Sequence, residues 1–412
     1  MRIVLPPTVR WSRALAAAGC IAASALPAFA AAPPSFASCI ESLRASRAAR
    51  SIRPATWDTH IMTLRPDSTV LTALNAQPEF TLAIWDYFAI MADGERITEG
   101  QRLMRTHRAL LDQIAATYAV DPAVVLAIWG VESNFGAGRG NLSVLRSLST
   151  LACIGRRQSY FRGELIAALR IVQEGHIDPA HFKGSWAGAF GHTQFMPGTF
   201  EWLAVDHDGD GRRDVVDNVG DALASTANFL KRAGRWREGE PWGVEVQLPA
   251  GYVGANDGRR TRRTLATWST KGLRRVDGTP LQTLGLPKTT TAALLRPAGT
   301  NGPAFLVLNN FFAVFRYNAS ESYALAIAHL SDRIRGGRPL VATWPTDDLG
   351  LSRADRRELH TLLASRGYNV GATTAALTPS VVSAIRDEQA RLGFSRTGRP
   401  GQRLLNALRS SN

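Results

Sequence analysis

The stretch from Asp121 to Gly136, DPAVVLAIWGVESNFG, constrains the fold more than any other part of the sequence. Asp121 can cap a helix, Pro122 suits its first turn, and Gly136 is placed to end it. The residues between them are apolar on nearly every face of the predicted helix. A helix without a polar face is buried inside a domain rather than laid on its surface. The chain must therefore build a core large enough to enclose this helix.

Glu132 is the carboxylate that this apolar stretch carries. It lies three and four residues after Trp129 and Ile128, so it shares their face of the helix. A carboxyl group that loses water has a raised pKa, as a general acid near neutral pH requires. A structural glutamate held by an arginine or by backbone N–H groups would fit the same stretch. The stretch alone favours neither interpretation.

The first thirty residues predict a cleaved secretory signal. Three arginines precede an apolar run over 14–27, and Ala28-Phe29-Ala30 has the small-x-small form of a signal peptidase site. A lipoprotein cut before Cys20 is the less favoured alternative, because the preceding residues lack the usual leucine. No later segment offers the roughly twenty uninterrupted apolar residues that a membrane span needs. We expect a soluble protein of the periplasm of a Gram-negative bacterium.

Export changes the meaning of the cysteines and of the charge. Without Cys20, the mature chain keeps Cys39 and Cys153, a disulfide candidate in an oxidising compartment, although two unpaired buried thiols remain the alternative. The formal net charge is +14, and loss of the three signal arginines lowers it to +11. Such an excess suits a polyanion. Outside the cytoplasm, acidic cell-wall polymer or an anionic membrane surface is a better candidate than nucleic acid.

Hydrophobic periodicity predicts a mainly α chain of two or more domains. Residues 31–336 form the main body, in which alternating apolar residues and turn signals indicate a small β-rich insertion over about 242–315. Residues 337–348, with two prolines, read as a linker, and 349–412 as a compact three-helix module. The predicted helices outside the Glu132 stretch cover 38–49, 69–74, 80–91, 100–118, 142–152, 164–174, 221–233, 317–336, 353–366, 379–392 and 403–408.

The segment Gly184 to Gly198, GSWAGAFGHTQFMPG, is unusual in composition. Four glycines and a proline exclude one regular helix, while its aromatic residues are too apolar for an ordinary exposed loop. We expect a packed, non-regular segment. Its backbone groups need partners, so it forms either a cleft wall that meets a ligand or a core-packing turn.

The sequence DHDGDGRRDVVD, from Asp206 to Asp217, matches the calcium loop of an EF-hand. Acids stand at relative positions one, three, five, nine and twelve, and glycine stands at position six. The twelfth residue is aspartate rather than the longer glutamate, so Asp221 is an alternative closing ligand. A solvated acidic turn is the competing interpretation, but such a cluster would repel itself without a cation. The candidate ligands of a structural Ca²⁺ are Asp206, Asp208, Asp210, the carbonyl of Arg212, Asp214, Asp217 and Asp221.

Five ordered motifs resemble the lytic murein transglycosylase B family, which includes membrane-bound and soluble enzymes. The motifs are residues 129–136 (WGVESNFG), 184–191 (GSWAGAFG), 194–197 (QFMP), the calcium loop, and 317–323 (YNASESY). The resemblance implies a lysozyme-like helical catalytic domain with β-rich additions, with Glu132 as the sole catalytic acid and base and no cofactor for catalysis. It also implies a saccharide cleft lined by Ser185, Gln194, Phe195, Met196, Tyr317, Asn318 and Tyr323.

Residues 349–412 resemble the peptidoglycan-binding module of type one. Its traces are Gly367-Tyr368, the helix end at 387–389, and Leu404-Leu405. The usual Asp-Gly before the second helix is replaced by residues 373–375, TTA. The expected partners are therefore peptidoglycan glycan strands, with cell-wall synthesis or remodelling proteins as further candidates, and the protein is expected to be a monomer that binds no nucleic acid.

A glycosidase normally uses two carboxylates, and this sequence offers one. Glu164 and Glu174 lie on an amphipathic helix with basic neighbours. One glutamate suffices if the C6 hydroxyl of N-acetylmuramic acid attacks its own anomeric carbon. Non-hydrolytic cleavage of the β-1,4 bond between MurNAc and GlcNAc would then leave 1,6-anhydro-MurNAc ends, with Ser185 and Tyr317 as candidate partners of Glu132. A hydrolytic muramidase and a non-catalytic wall-binding protein are the alternatives.

Overall fold

A computed structural model describes residues 35–75, 82–254 and 256–411. The predicted signal at 1–30, with Cys20, lies outside these residues. The described helices are α1 Phe36–Ala45, α2 Pro54–His60, α3 Ser68–Asn75, α4 Ile84–Met91, α5 Gly94–Thr106, α6 Arg108–Tyr118, α7 Pro122–Ser133, α8 Val144–Cys153, α9 Gln158–Gln173, α10 Pro197–Leu203, α11 Val219–Arg232, α12 Leu265–Thr270, α13 Asn309–Tyr317, α14 Glu321–Ile334, α15 Arg353–Ser365, α16 Pro379–Arg391 and α17 Gln402–Ser410. The strands are β1 Leu142–Ser143, β2 Lys183–Gly184, β3 Gly243–Gln247, β4 Arg262–Thr264, β5 Arg274–Arg275, β6 Thr291–Leu295 and β7 Ala304–Val307. The fold is mainly α and lysozyme-like, as the sequence predicts.

Helix α7 is enclosed by other helices, as its apolar sequence requires. Every residue from Ala123 to Gly130 is buried, and α5, α6, α11 and α14 pack around it. Asp121 caps the helix by accepting a hydrogen bond from the Ala123 N–H at 2.8 Å. No single helix of the described residues is long and apolar enough to cross a membrane; α6 and α7 pass that test only together, as a pair bent by 112°.

Two predicted helices are broken in the structure. The stretch 100–118 is divided into α5 and α6 at His107, whose backbone leaves the helical region (φ −101°, ψ 22°). The stretch 317–336 is divided after Tyr317, and α14 begins only at Glu321, where Ser320 caps it by accepting from the Tyr323 N–H. The break at His107 carries neither glycine nor proline, so the usual sequence signals are absent there, whereas Ser320 is a typical N-cap residue and marks the start of α14.

The β-rich insertion is a five-stranded antiparallel sheet of order β4-β6-β7-β3-β5. Val244 pairs with Leu306 and Ala293 with Val307. Alternate residues of the central strands face different cores: Ala293, Leu295, Phe305 and Val307 pack with α7, and Ala292, Leu294, Ala304 and Leu306 pack with α12. The sheet ends at Val307 rather than near 315, because 309–317 form helix α13. Tyr317 is the last residue of this helix.

The last three helices form the predicted module around a small core of their own. Leu359, Leu363, Val381, Ile385 and Leu405 are fully buried in it. The linker before the module is held to the main body, because both oxygens of the Glu245 carboxylate accept backbone N–H bonds from Val341 and Ala342 at 2.9 and 2.8 Å. The main body and module are therefore joined through a structured segment.

A disulfide between Cys39 and Cys153 joins α1 to the end of α8, with the two Cα atoms 5.8 Å apart. The bond links residues 114 positions apart in the sequence. Cross-linking such distant positions removes conformational freedom mainly from the unfolded chain. The N-terminal helices are thereby fixed to a buried core that contains residues of α8 and α9.

Replacement of both cysteines by serine should lower the free energy of unfolding by roughly 2–5 kcal/mol. The measurement is equilibrium denaturation of the wild type and the double variant, each with and without a reductant. The wild type should lose stability on reduction and the variant should not. Equal stability of the oxidised wild type and the variant would contradict the prediction.

Candidate active site

The last turn of α7 carries Glu132 and ends in a tight reversal of the chain. Three consecutive residues have positive φ: Asn134 at 49°, Phe135 at 56° and Gly136 at 90°. Helix α7 therefore ends at Ser133, and its C-cap is Asn134, two residues before the predicted Gly136, because asparagine also tolerates the left-handed region. Phe135 folds back so closely that a Cβ on Gly130 would lie 2.7 Å from its ring. Glycine is thus required at position 130.

A second set of contacts fixes this turn to the segment 184–198. The Trp129 indole N–H donates to His192 Nδ1 at 3.0 Å, and the Ser133 hydroxyl donates to the His192 carbonyl. The Gly136 N–H in turn donates to the Ser133 hydroxyl at 2.9 Å. Burial, with the charge of Arg139, lowers the pKa of His192 to about 4, so its ring is a neutral acceptor at neutral pH. Nothing in the sequence alone pointed to this role of His192.

Glu132 is half-buried, and its carboxyl oxygen Oε1 accepts a hydrogen bond from the Tyr323 hydroxyl at 2.6 Å. Burial raises the pKa of Glu132 from 4.5 to about 7, and the Tyr323 hydrogen bond opposes that rise because it stabilises the carboxylate. Neither of these two effects on the pKa of Glu132 comes from a second acidic side chain. A carboxyl group with this pKa is present in both its acid and its base form near neutral pH.

Tyr317 and Ser185, the partners that the sequence suggested for Glu132, are engaged elsewhere. The Tyr317 hydroxyl donates to the Thr193 carbonyl at 2.6 Å. The Ser185 hydroxyl accepts from the Ala189 N–H at 3.1 Å and so closes a turn. Tyr317 still lies near Glu132, because burial and then the Glu132 charge raise the pKa of its phenol. The direct hydrogen bond to Glu132 comes instead from Tyr323, which the sequence assigned only to the lining of the saccharide cleft.

The remaining predicted lining residues take different positions. The Gln194 amide donates to the carbonyls of Arg139 and Gly191 at 3.0 and 2.9 Å, and its φ of 54° aids the reversal of the chain. Met196 lines a cleft of about 550 Å³ together with Trp186. Asn318 is exposed at the end of α13.

The prediction that Phe195 lines the saccharide cleft is wrong. Phe195 is only 2% exposed, and its ring packs against Tyr317 and Phe229. Its apolar side chain thus belongs to the core and supports Tyr317 from behind. The segment 184–198 therefore packs in part as a core turn, while its residues Trp186 and Met196 line the cleft.

Glu164, on helix α9, is used structurally. Its Oε2 accepts from the Gly198 N–H at 2.8 Å, and burial raises its pKa. A Cβ on Gly198 would lie 3.2 Å from this carboxylate, which shows how closely the two are packed. Glu164 therefore holds the start of α10 in place.

The predicted calcium loop brings three of its carboxylates together. Oxygen atoms of Asp206, Asp208 and Asp210 all lie within 4.8 Å of one another. Calcium accepts oxygen ligands at 2.3–2.6 Å, so two ligands of one ion stand up to about 5 Å apart, and this spacing fits. The Asp206 carboxylate also accepts from the N–H groups of Gly209 and Gly211, which shapes the loop.

The other predicted ligands point to different partners. Asp217 pairs with His181 at 2.6 Å, and Asp214 accepts from the N–H groups of Val216 and Asp217, both at 2.9 Å. The buried carboxylate of Asp221 accepts from the N–H groups of His207 and Asp214, both at 2.7 Å. Asp221 therefore ties the two halves of the loop together through backbone bonds, and it does not join the three clustered carboxylates. The structure shows no group of ligands that includes Asp214, Asp217 or Asp221 among the residues it describes.

The sequence and the fold match known proteins over most of the chain. A family model described as the transglycosylase SLT domain matches residues 35–332, and one for a peptidoglycan binding domain matches residues 352–408. Membrane-bound lytic murein transglycosylase B of Escherichia coli is 34% identical over 242 residues, which are 58% of this chain and 64% of the length of that relative.

Solved structures of lytic transglycosylases also match this chain over most of its length. SltB3 from Pseudomonas aeruginosa, in complex with NAG-anhNAM-pentapeptide, is 43% identical with a TM-score of 0.72, covering 91% of this chain and 99% of that chain. The Escherichia coli lytic transglycosylase Slt35, in complex with calcium, is 28% identical with a TM-score of 0.62, covering 74% of this chain and 93% of that chain.

Replacement of Tyr323 by phenylalanine should raise the pKa of Glu132 above about 7, because the lost hydrogen bond stabilises the charged form. The measurement is a ¹³C NMR titration of the glutamate carboxyl groups, with the Glu132 signal assigned from the Glu132→Gln variant. Tyr317→Phe is the matched control, since its hydroxyl donates to a carbonyl rather than to Glu132. A lowered or unchanged pKa in Tyr323→Phe would contradict the assignment.

Proposed function

Since the chain belongs to the family of lytic transglycosylases with an SLT domain, we propose that it cleaves the glycan strands of peptidoglycan with Glu132 as sole acid and base. The observation that carries the proposal is the setting of this carboxyl group, with a pKa of about 7 and a hydrogen bond from Tyr323. A glutamate with an ordinary pKa of 4.5 would be almost fully ionised at neutral pH and a poor acid.

The bond cleaved is the β-1,4 linkage between MurNAc and GlcNAc. Protonated Glu132 donates its proton to the glycosidic oxygen, and the bond from that oxygen to the anomeric carbon of MurNAc breaks. The C6 hydroxyl of the same MurNAc attacks the anomeric carbon, and its proton passes to the Glu132 carboxylate. The acid is thereby regenerated, no water is consumed, and the product is a 1,6-anhydro-MurNAc end.

Tyr323 assists both halves of this cycle. Its hydroxyl donates to Oε1 and so holds the carboxyl group in one orientation while Oε2 carries the exchanged proton. Because Tyr323 is almost completely buried, burial and the Glu132 charge keep its own pKa well above the usual value for tyrosine. It thus remains a hydrogen-bond donor throughout and does not compete as an acid.

The enzyme acts in the periplasm of a Gram-negative bacterium, and its C-terminal module binds the same polymer. The export signal predicted at 1–30 and the Cys39–Cys153 disulfide both suit an oxidising compartment. The net charge of +11 that remains after loss of the signal arginines, from +14 for the full chain, suits an acidic wall polymer.

Replacement of Glu132 by glutamine should lower the rate roughly 10²–10⁴-fold, since glutamine can neither donate nor accept the transferred proton. The measurement is mass spectrometry of muropeptides released from purified peptidoglycan, with anhydro ends as the expected product of the wild type. Glu164→Gln is the matched control, because that side chain keeps an oxygen to accept the Gly198 N–H. Reducing ends from the wild type, or anhydro ends from Glu132→Gln at the wild-type rate, would refute the proposed reaction.

The loop over 206–217 holds a structural calcium ion, with the carboxylates of Asp206, Asp208 and Asp210 as its first ligands. The support is their convergence, the shape of the loop and the calcium complex of the relative Slt35. The ion would neutralise three like charges that otherwise repel one another. It lends the reaction no chemistry.

Chelation should lower the melting temperature of the wild type by roughly 2–6 °C, because a ligand that binds only the folded state stabilises it. The measurement is thermal unfolding with EDTA and with added calcium. The triple variant with asparagine at 206, 208 and 210 should be insensitive to both additions. A wild type that melts at one temperature in all conditions would show that the loop needs no ion.

A further inference from the structure

One arginine of the C-terminal module reaches the turn that carries Glu132. Arg353, the first residue of α15, forms two hydrogen bonds with the Asp93 carboxylate, at 2.5 and 2.9 Å. Its third nitrogen, Nη1, donates to the side-chain oxygen of Asn134. The contact is well shielded from solvent, since the side chain of Arg353 is 14% exposed and that of Asp93 is 1% exposed.

The same arginine is connected to α7 by a second route. Asp93 caps α5 by accepting from the Arg96 N–H at 2.8 Å. The Arg96 side chain is buried, and its Nε donates to the Gly130 carbonyl at 2.9 Å. A continuous set of charge-assisted hydrogen bonds therefore runs from α15 through Asp93 and Arg96 to the last turn of α7.

Glu132 lies between the two points that this network holds. Gly130 accepts from both Arg96 and the Asn134 N–H, the latter at 3.0 Å, and Asn134 is held by Arg353. Asn134 and Phe135 both have positive φ, a conformation that persists only where surrounding contacts enforce it. Loss of one such contact would let the turn relax and move the carboxyl group.

We propose that Arg353 is a positioning residue for catalysis: the C-terminal module supports the turn that carries Glu132, in addition to binding the wall. The inference rests on the proposed function of Glu132. A positioning role differs from simple anchoring of the module to the main body. Positioning affects the chemical step even with a substrate too short to reach the module.

Variants of two other arginines distinguish positioning of the Glu132 turn from docking of the C-terminal module on the main body. Arg399 also fastens the module to the main body, with bonds of 2.8 and 2.6 Å to the buried Asp86, but it makes no contact with α7. Arg357 pairs with Glu95 at the same interface, and its side chain is half-exposed. Variants at these positions loosen docking without touching the Glu132 turn.

The decisive experiment compares Arg353→Lys, Arg399→Lys and Arg357→Lys in the full-length protein, with a soluble GlcNAc-MurNAc tetrasaccharide as substrate. Lysine keeps the charge but cannot hold both Asp93 oxygens and Asn134 at once. Arg353→Lys should lower kcat roughly tenfold with little change in KM, as small misplacements of a catalytic group do. Arg357→Lys should match the wild type, and Arg399→Lys should keep its kcat on this short substrate.

Asn134→Gly provides the partner variant, since glycine accepts the left-handed backbone and lacks the side-chain oxygen. It should lower kcat as Arg353→Lys does, and the double variant should lose no more than either single one. A kcat for Arg353→Lys equal to that of the wild type would overturn the proposal. An equal loss in Arg399→Lys would assign the effect to docking and would overturn it as well.

A titration of Glu132 by ¹³C NMR decides the matter without turnover. In Arg353→Lys, water should reach the loosened turn and the pKa of Glu132 should fall from about 7 towards 4.5, while Arg357→Lys keeps the wild-type value. An unchanged pKa in Arg353→Lys would overturn the inference. A wild type that forms no anhydro product would instead refute the proposed function, and the titration would still test the positioning.

Discussion

The carboxyl group of Glu132 is held at the end of a buried helix, where its ionisation is opposed by the loss of water. Its pKa rises from 4.5 to about 7 in the folded state. One pKa unit corresponds to about 1.4 kcal/mol, so this site destabilises the folded protein by at most about 3.5 kcal/mol once the group is ionised. The destabilisation is absent below pH 4.5, where both the folded and the unfolded state are protonated; it grows between pH 4.5 and about 7 and is constant above that. The Tyr323 hydroxyl keeps the effect from being larger.

The geometry of the helix end explains how a buried helix can present a polar group. Three residues with positive φ turn the chain immediately after Ser133, and Phe135 packs back on Gly130. The reversal leaves Glu132 at the margin of the core rather than in its interior. Because Ser133 and Trp129 bond to His192, the turn and the segment 184–198 form one rigid unit. A displacement of either would therefore be transmitted to the carboxyl group.

The groups that complete the site come from distant parts of the chain. Tyr323 stands 191 positions after Glu132, and Arg353 stands 219 positions after its partner Asn134. The sheet inserted before α13 and the break at 318–320 orient the two tyrosine-bearing helices. The disulfide joins α1 to α8, so the N-terminal helices cannot separate from the core around α8. Catalytic geometry and global stability are thus supported by different contacts.

Much of the fold could be predicted from the sequence, because helix caps, apolar periodicity and strand alternation depend on neighbouring residues. Asp121 at the start of α7, Ser320 at the start of α14 and the sheet within 242–315 follow from such local patterns. The helix boundaries at His107 and Asn134 are marked by neither glycine nor proline. They could not be predicted from local patterns, because tertiary contacts select those backbone conformations.

The sequence by itself also determined that the Glu132 carboxyl group loses water, since an ionisable group in an apolar helix is desolvated wherever that helix is buried. Only the tertiary structure decided which partners it has. Tyr323 rather than Tyr317 bonds to Glu132, Phe195 enters the core, and Asp217 turns to His181 instead of the acidic cluster. The physical reason is that a hydrogen bond requires its two atoms to lie within about 3 Å of each other, and that proximity is set by the packing of elements far apart in the chain.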